Sequence, residues 1–272
     1  MTTHTRHPRS QTDQSTTDTD TETNTETQPD TRPLLEATNV AVSYGDVEVL
    51  ESVSATIDRG TVTALIGPNG TGKTTLLCTL AGLSAPTGGT VEYLGPETSR
   101  QIGYLPQRPS FRPGFTVLET LEFYASLVGE DREKALERLE LVGLEAAAGR
   151  QVEALSGGMT RLVGIAQATI GDPPVIVLDE PASGLDPGMR GHVFDIAGEL
   201  AASGTAVLLS SHDLGLVERT ADHVLLLDDG TICRRGSPAT LQETLEVDSL
   251  RAVYEQSIAG DLHTVSVRGE RS

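Results

Sequence analysis

The stretch GPNGTGKT, Gly67 to Thr74, limits what this chain can fold into more than any other eight residues. It follows the apolar run TVTALI and precedes TTLLCTLAGL, so it must lie between a buried strand and a helix. Gly67, Gly70 and Gly72 carry no Cβ, and their backbone N–H groups can turn together onto an anion. The helix that follows adds about half a positive charge at its N-terminus. This is the spacing of a phosphate-binding loop, with Pro68, Asn69 and Thr71 between the glycines and Thr75 just behind. Lys73 is placed to reach the β and γ phosphates of a nucleotide, and the Thr74 hydroxyl to ligate Mg²⁺.

The remaining pattern supplies the strands such a loop needs. LLEATNVAVSY (34–44) and VEVLESVSATI (47–57) read as strands, and residues 73–83 as a helix stopped near Gly82 and Pro86. Short strands are expected at 90–93 and 101–104. From Thr116 to about Gly149 the signal is helical, with Val117, Leu118, Leu121, Tyr124, Ala125 and Val128 on one face. The charged run 131–140 reads as a solvated helix face with Leu136, Leu139 and Val142 turned inward. A helix after Ser156, the strand PVIVLD, a helix, the strand TAVLLSS, a short helix and the strand HVLLLD follow. Asp228-Asp229-Gly230 then makes a hairpin turn into TICRR. Alternating strands and helices predict an α/β fold, a mostly parallel sheet covered on both faces, with the block between Gln107 and Ser156 as a separate helical lobe. Residues 1–31 are almost wholly polar and are expected to be disordered.

Composition closes off several alternatives. The longest apolar runs, such as Val175–Leu178 and Val224–Leu227, fall far short of the roughly twenty residues a spanning helix requires. No positively charged start with an apolar segment marks a secretory signal, so any work at a membrane is expected to need a partner's anchor. The formal charge is −19, and residues 1–33 hold six acids and three bases, so the excess sits in the body of the chain. That argues against nucleic acid as a main partner. Lys73 and Lys134 are the only lysines; distributed acid with little lysine suits concentrated salt, where a Debye length of about 3 Å at 1 M screens self-repulsion. Cys78 and Cys233 lack metal or redox spacing and read as small, buried or half-buried residues.

Three further segments carry chemistry. PVIVLDEP ends a strand in Asp179, a candidate Mg²⁺ ligand, and Glu180, placed to take a proton from an attacking water. His212, in LLSSHDL, follows another apolar strand and would reach a γ-phosphate from the same sheet edge. LSGGM places Ser156, Gly157 and Gly158 at the head of another helix, where free N–H groups favour an anion. With these motifs the chain resembles the nucleotide-binding subunit of ATP-binding-cassette (ABC) transporters, from Leu34 to about Ser237. The resemblance implies a P-loop NTPase cassette with a RecA-like core, an antiparallel β subdomain, a helical signature subdomain over about 108–165, and a short C-terminal extension at 238–272.

It also implies that Ser156, Gly157 and Gly158 bind the γ-phosphate of ATP held by the P-loop of a second cassette, identical or paralogous. Tyr44 would stack on adenine, Gln107 would touch Mg²⁺ and water, and Asp186, in SGLD, would belong to a loop communicating across the dimer. The implied partners are ATP, Mg²⁺, a second cassette and a transmembrane permease, on the cytoplasmic face of the membrane. Met159, TVLETLEFYASLVG and DSLRAVYEQSIAG resemble the ABC-2 exporter group and subunits tied to copper handling and nitrous oxide reductase maturation. That group often has two arginines after the signature; here Arg161 is followed by Leu162. Arg108, Phe111 and Arg112 fall where a groove for a membrane-subunit helix is expected. A chromosome-maintenance ATPase would need long heptad arms, and a ribosome-associated factor two cassettes. A soluble single-cassette ATPase in iron–sulfur assembly stays open as the alternative.

Overall fold

A computed structural model describes residues 32–258; the expectation for residues 1–31, and that for the last residues of the C-terminal extension, lie outside them. In chain order the strands are β1 (Pro33–Tyr44), β2 (Val47–Asp58), β3 (Val62–Ile66), β4 (Gly88–Tyr93), β5 (Ile102–Leu105), β6 (Val175–Leu178), β7 (Ala206–Ser210), β8 (His223–Asp228) and β9 (Thr231–Gly236). The helices are α1 (Lys73–Leu80), α2 (Val117–Leu127), α3 (Arg132–Leu141), α4 (Gly157–Thr169), α5 (Pro187–Ala202), α6 (Leu214–Thr220), α7 (Pro238–Leu245) and α8 (Leu250–Ile258).

Strands β3, β6 and β7 are buried at every position, as strands covered on both faces must be. They form a six-stranded sheet in the order β5-β6-β7-β3-β8-β9, parallel except for β9, which returns antiparallel through the Asp229-Gly230 turn. Leu65 pairs with Ser210, and Leu178 with Leu209. The carboxyl ends of β3, β6 and β7 are therefore level, and the segments that follow them open at one edge of the sheet.

Side-chain alternation splits the apolar residues into two cores. Ala64, Ile66, Ile176, Leu178, Val207 and Leu209 face α4, α5 and the helical lobe. Leu65, Val175, Val177, Leu208 and Leu225 face the other way, onto α1 and a three-stranded antiparallel sheet, β2-β1-β4, through Leu35, Val40, Leu50 and Ile57.

The helical lobe departs from the continuous signal. Helix α2 begins at a capping box, Thr116 with Glu119, and stops before Gly129, whose φ is +80°. Asp131 then caps α3 through the N–H groups of Glu133 and Lys134. The inward face of α3 also needs correcting. Leu139 and Val142 are fully buried, but Leu136 is 40% exposed, and Ala135 takes the inward place. Residues 135, 139 and 142 follow helical spacing, and residue 136 lies about 100° off that line. Past the cassette, Leu241, Leu250 and Val253 are buried in the first core. Glu218 of α6 accepts from Gln242 Nε2 at 2.6 Å and from the Leu250 N–H at 3.2 Å. The described part of the extension is thus docked onto α6.

Candidate functional site

The loop after β3 can only be built with glycine at two points. A Cβ on Gly67 would lie 2.0 Å from the Leu227 carbonyl oxygen, and one on Gly72, where φ is +100°, 2.8 Å from Leu50 Cδ2. No side chain caps α1, so its first N–H groups are left to an anion. Lys73 folds back along the loop, donating to the carbonyls of Gly67 and Pro68 at 2.8 Å each. Burial pulls its pKa down, against the opposing pull of Glu180 and Asp179. Thr71 Oγ1 donates to the Pro68 carbonyl at 3.0 Å and braces the turn.

Asp179 and Glu180 arrive at this loop from β6. The Thr74 hydroxyl donates to Asp179 Oδ2 at 2.9 Å, and Ser210 Oγ to Oδ1 at 2.8 Å. The same Ser210 oxygen accepts the Glu180 N–H at 2.8 Å. Glu180 is 7% exposed, and burial pushes its carboxyl pKa up, although His212, Lys73 and Arg161 oppose the shift. His212 Nε2 lies 2.7 Å from Glu180 Oε1, within ion-pair distance but without hydrogen-bond alignment, so this buried oxygen keeps no aligned donor.

Val49, Asn69, Gly70, Gly72–Thr75, Gln107, Asp179 and Glu180 line a cleft of about 310 Å³. Its chemistry suits a magnesium–nucleotide. Among the described residues no three His, Cys, Asp or Glu side chains cluster into a full protein cage. Mg²⁺ does not need one, since it is held by one or two carboxylates together with substrate phosphates and water. Asp179, Thr74 and Gln107 would serve as its protein-side ligands.

Other expected residues stand apart from this cleft. Tyr44 is 58% exposed at the tip of the β1–β2 hairpin, the hairpin that sends Val49 into the lining. Ser156 and Gly157 are exposed at the head of α4, where Ser156 Oγ accepts the Met159 N–H at 3.2 Å. Asp186 caps α5, accepting from the Met189 N–H at 3.0 Å. The Ser183–Leu185 segment before it lines a neighbouring cleft of about 460 Å³ with Glu180 and His212. Two contacting residues were not legible as such. Ser210 sits in LLSSHD, where a hydroxyl closing an apolar strand was the available signal. Arg161, whose guanidinium donates to the Glu180 carbonyl, had only its place after the signature as a signal, which gave no hint of that partner.

Known proteins are similar to this chain in sequence and fold. A family model described as ABC transporter matches residues 50–183. An ABC transporter ATP-binding protein of Bacillus subtilis (strain 168) is 37% identical over 84% of this chain and 79% of its own length. The Nod factor export ATP-binding protein I of Cupriavidus pinatubonensis is 34% identical over 88% and 78%. Among solved structures, an ATP-binding subunit of an ABC transporter superposes with a TM-score of 0.75 at 30% identity, covering 82% of this chain and 99% of that one. A dimeric ATP-binding cassette in a post-hydrolysis state, bound to ADP and Pi, superposes with 0.69 at 27% identity over 75% and 98%. The chain belongs to the ABC transporter family, as one of its ATP-hydrolysing, ATP-binding cassettes.

Proposed function

We propose that the chain powers export through a membrane partner by hydrolysing ATP between two cassettes packed head to tail. The observation that carries this reading is the joined set Thr74–Asp179–Ser210–Glu180, with Lys73 and His212 beside it, facing a cleft to which Ser156–Gly158 contribute nothing. A phosphate chain in the P-loop would meet the N–H groups of α1 and Lys73, which would leave the Gly67 and Pro68 carbonyls to pair with it. Mg²⁺, when bound, neutralises developing charge on the phosphates. Glu180 takes the proton from the attacking water. His212 orients the γ-phosphate against that base. Tyr44 stacks on the adenine. The partner's signature loop closes the cleft with free N–H groups, excludes water and strengthens every charge interaction inside. Loss of phosphate removes the bridge, and the cassettes part.

The transport direction rests on the relatives. Several are named for export or resistance, the Nod factor export proteins and a linearmycin resistance ATP-binding protein among them. Those names support export; the ABC-2 type rests on Met159 and the segments quoted earlier alone. No helix among the described residues is long and apolar enough to cross a membrane; in this reading the permease is a separate chain. Affinity purification from detergent-solubilised membranes tests it. The tagged chain should bring down one polytopic protein and hydrolyse ATP faster in that complex than alone. Recovery in soluble complexes only, with no membrane protein, would contradict the transport role.

A further inference from the structure

Arg161 has been noted only for its place after the signature, yet it joins the signature helix to Glu180. It lies on α4, about one turn beyond Ser156–Gly158, and its guanidinium donates to the main-chain carbonyl of Glu180. That carbonyl also accepts the N–H of Ser183 at 3.1 Å, at the head of the loop that runs to Asp186. On the other side of the residue, Ser210 Oγ holds the Glu180 N–H at 2.8 Å. Glu180 needs such holding. Its φ is +49°, in the left-handed region that a residue with a Cβ avoids, and this backbone setting decides where the carboxylate points.

The arginine is also unlike a solvated surface residue. It is half-buried, and its Nε is shielded with no partner, an arrangement that costs free energy unless the rest of the group is engaged. Helix α4 is packed against the parts of the site that would move with it. A Cβ on Gly158 would meet Leu185 Cδ2 at 3.5 Å, and one on Gly164 would meet Leu105 Cδ1 at 2.5 Å. Leu185 belongs to the loop after Glu180, and Leu105 ends the strand leading to Gln107.

We infer that Arg161 is a positioning residue that passes engagement of this chain's signature loop to its own general base. The inference rests on the reading above, in which Ser156–Gly158 meet the nucleotide held by the partner cassette. The first two turns of α4 then serve two different ATP molecules. The N-terminus touches the partner's nucleotide, and Arg161 sets the residue that takes the proton from the water attacking this chain's own. A shift of α4 on meeting a phosphate moves the Glu180 main chain, so occupancy of one site tunes hydrolysis in the other. A carbonyl asks only for a donor; Lys can supply one and Met cannot.

Phosphate release against ATP concentration tests this for the full-length wild type, Arg161→Met, Arg161→Lys and Glu180→Gln, with thermal unfolding midpoints alongside. The wild type should give a sigmoidal curve. Arg161→Met, which keeps the buried stem, should lower kcat on the order of 10²-fold, the penalty for misplacing a catalytic group by about 1 Å. Its KM should stay within about threefold of wild type, and its curve should become hyperbolic. Arg161→Lys should recover most of the rate and the sigmoid. A wild-type kcat in Arg161→Met overturns the inference, as does a hyperbolic wild-type curve. So does Arg161→Met failing to fold while Arg161→Lys folds, because the role is then structural. A wild type that releases no phosphate, or a Glu180→Gln variant as fast as wild type, would instead remove the underlying reading.

Discussion

Two glycine-bearing loops each head a helix in this chain, and the chain finishes one of them but not the other. Gly67–Thr74 is closed in by its own structure: the Leu227 carbonyl stands against Gly67, Leu50 against Gly72, and Asp179 against the Thr74 hydroxyl. Ser156 and Gly157 stand open at the surface, and a Cβ on Gly157 would meet nothing within 4 Å. A glycine that packing does not require is there either for its backbone or for something outside the chain to approach. In the proposed reading the contrast is that of a divided phosphate site, one half built into a core and the other held out at a surface.

The sharpest way to break that contrast is at the finished half. Glu180→Gln should cut phosphate release by about 10² to 10⁴-fold, the usual worth of a general base, while ATP affinity stays within a few-fold. Retained turnover would mean that another group takes the proton. At the open half, Ser156→Arg should slow turnover on the order of 10²-fold, as for a lost charge-stabilising donor. It should lower the unfolding midpoint by only about 2–4 °C, the worth of the lost cap on the Met159 N–H, and leave ATP binding by the isolated chain unchanged. If ATP binding fell as far as turnover, the signature loop would belong to the chain's own site.

Stability separates the two loops next. Gly67→Ala must displace the backbone near Leu227, costing about 3 kcal/mol and lowering Tm by roughly 6–12 °C. Gly157→Ala should change stability by no more than about 0.5 kcal/mol. Equal shifts by differential scanning fluorimetry would erase the distinction. A smaller effect than that of Gly67→Ala should come from salt. With a net charge of −19, the unfolding midpoint should be higher by a few degrees in molar than in dilute KCl. Equal midpoints would exclude a salt requirement.

Much of this was legible in residue order because it depends on short-range geometry. A glycine loop between an apolar strand and a helix admits few arrangements, and Asp179, Glu180 and His212 each close an apolar strand. Once those strands are parallel and level, the residues after them must share an edge. What stayed hidden depends on facing surfaces. The break between α2 and α3 turns on a single left-handed glycine and a cap at Asp131. Leu136 and Ala135 differ in sequence position by one and in environment completely, because 135 lies on the face of α3 turned to the first core and 136 on its exposed flank. Ser210 and Arg161 become informative only when β7 and α4 are brought beside Glu180.

The claim that one nucleotide is completed by two chains is tested most directly by mass in solution. Light scattering on the full-length Glu180→Gln protein should give the 28.7 kDa monomer without nucleotide and twice that with ATP and Mg²⁺. Adding Ser156→Arg to that variant should hold it at the monomer mass while ATP still binds. Doubling that survives the Ser156→Arg change, or a nucleotide-bound protein that never leaves the monomer mass, would contradict the shared site.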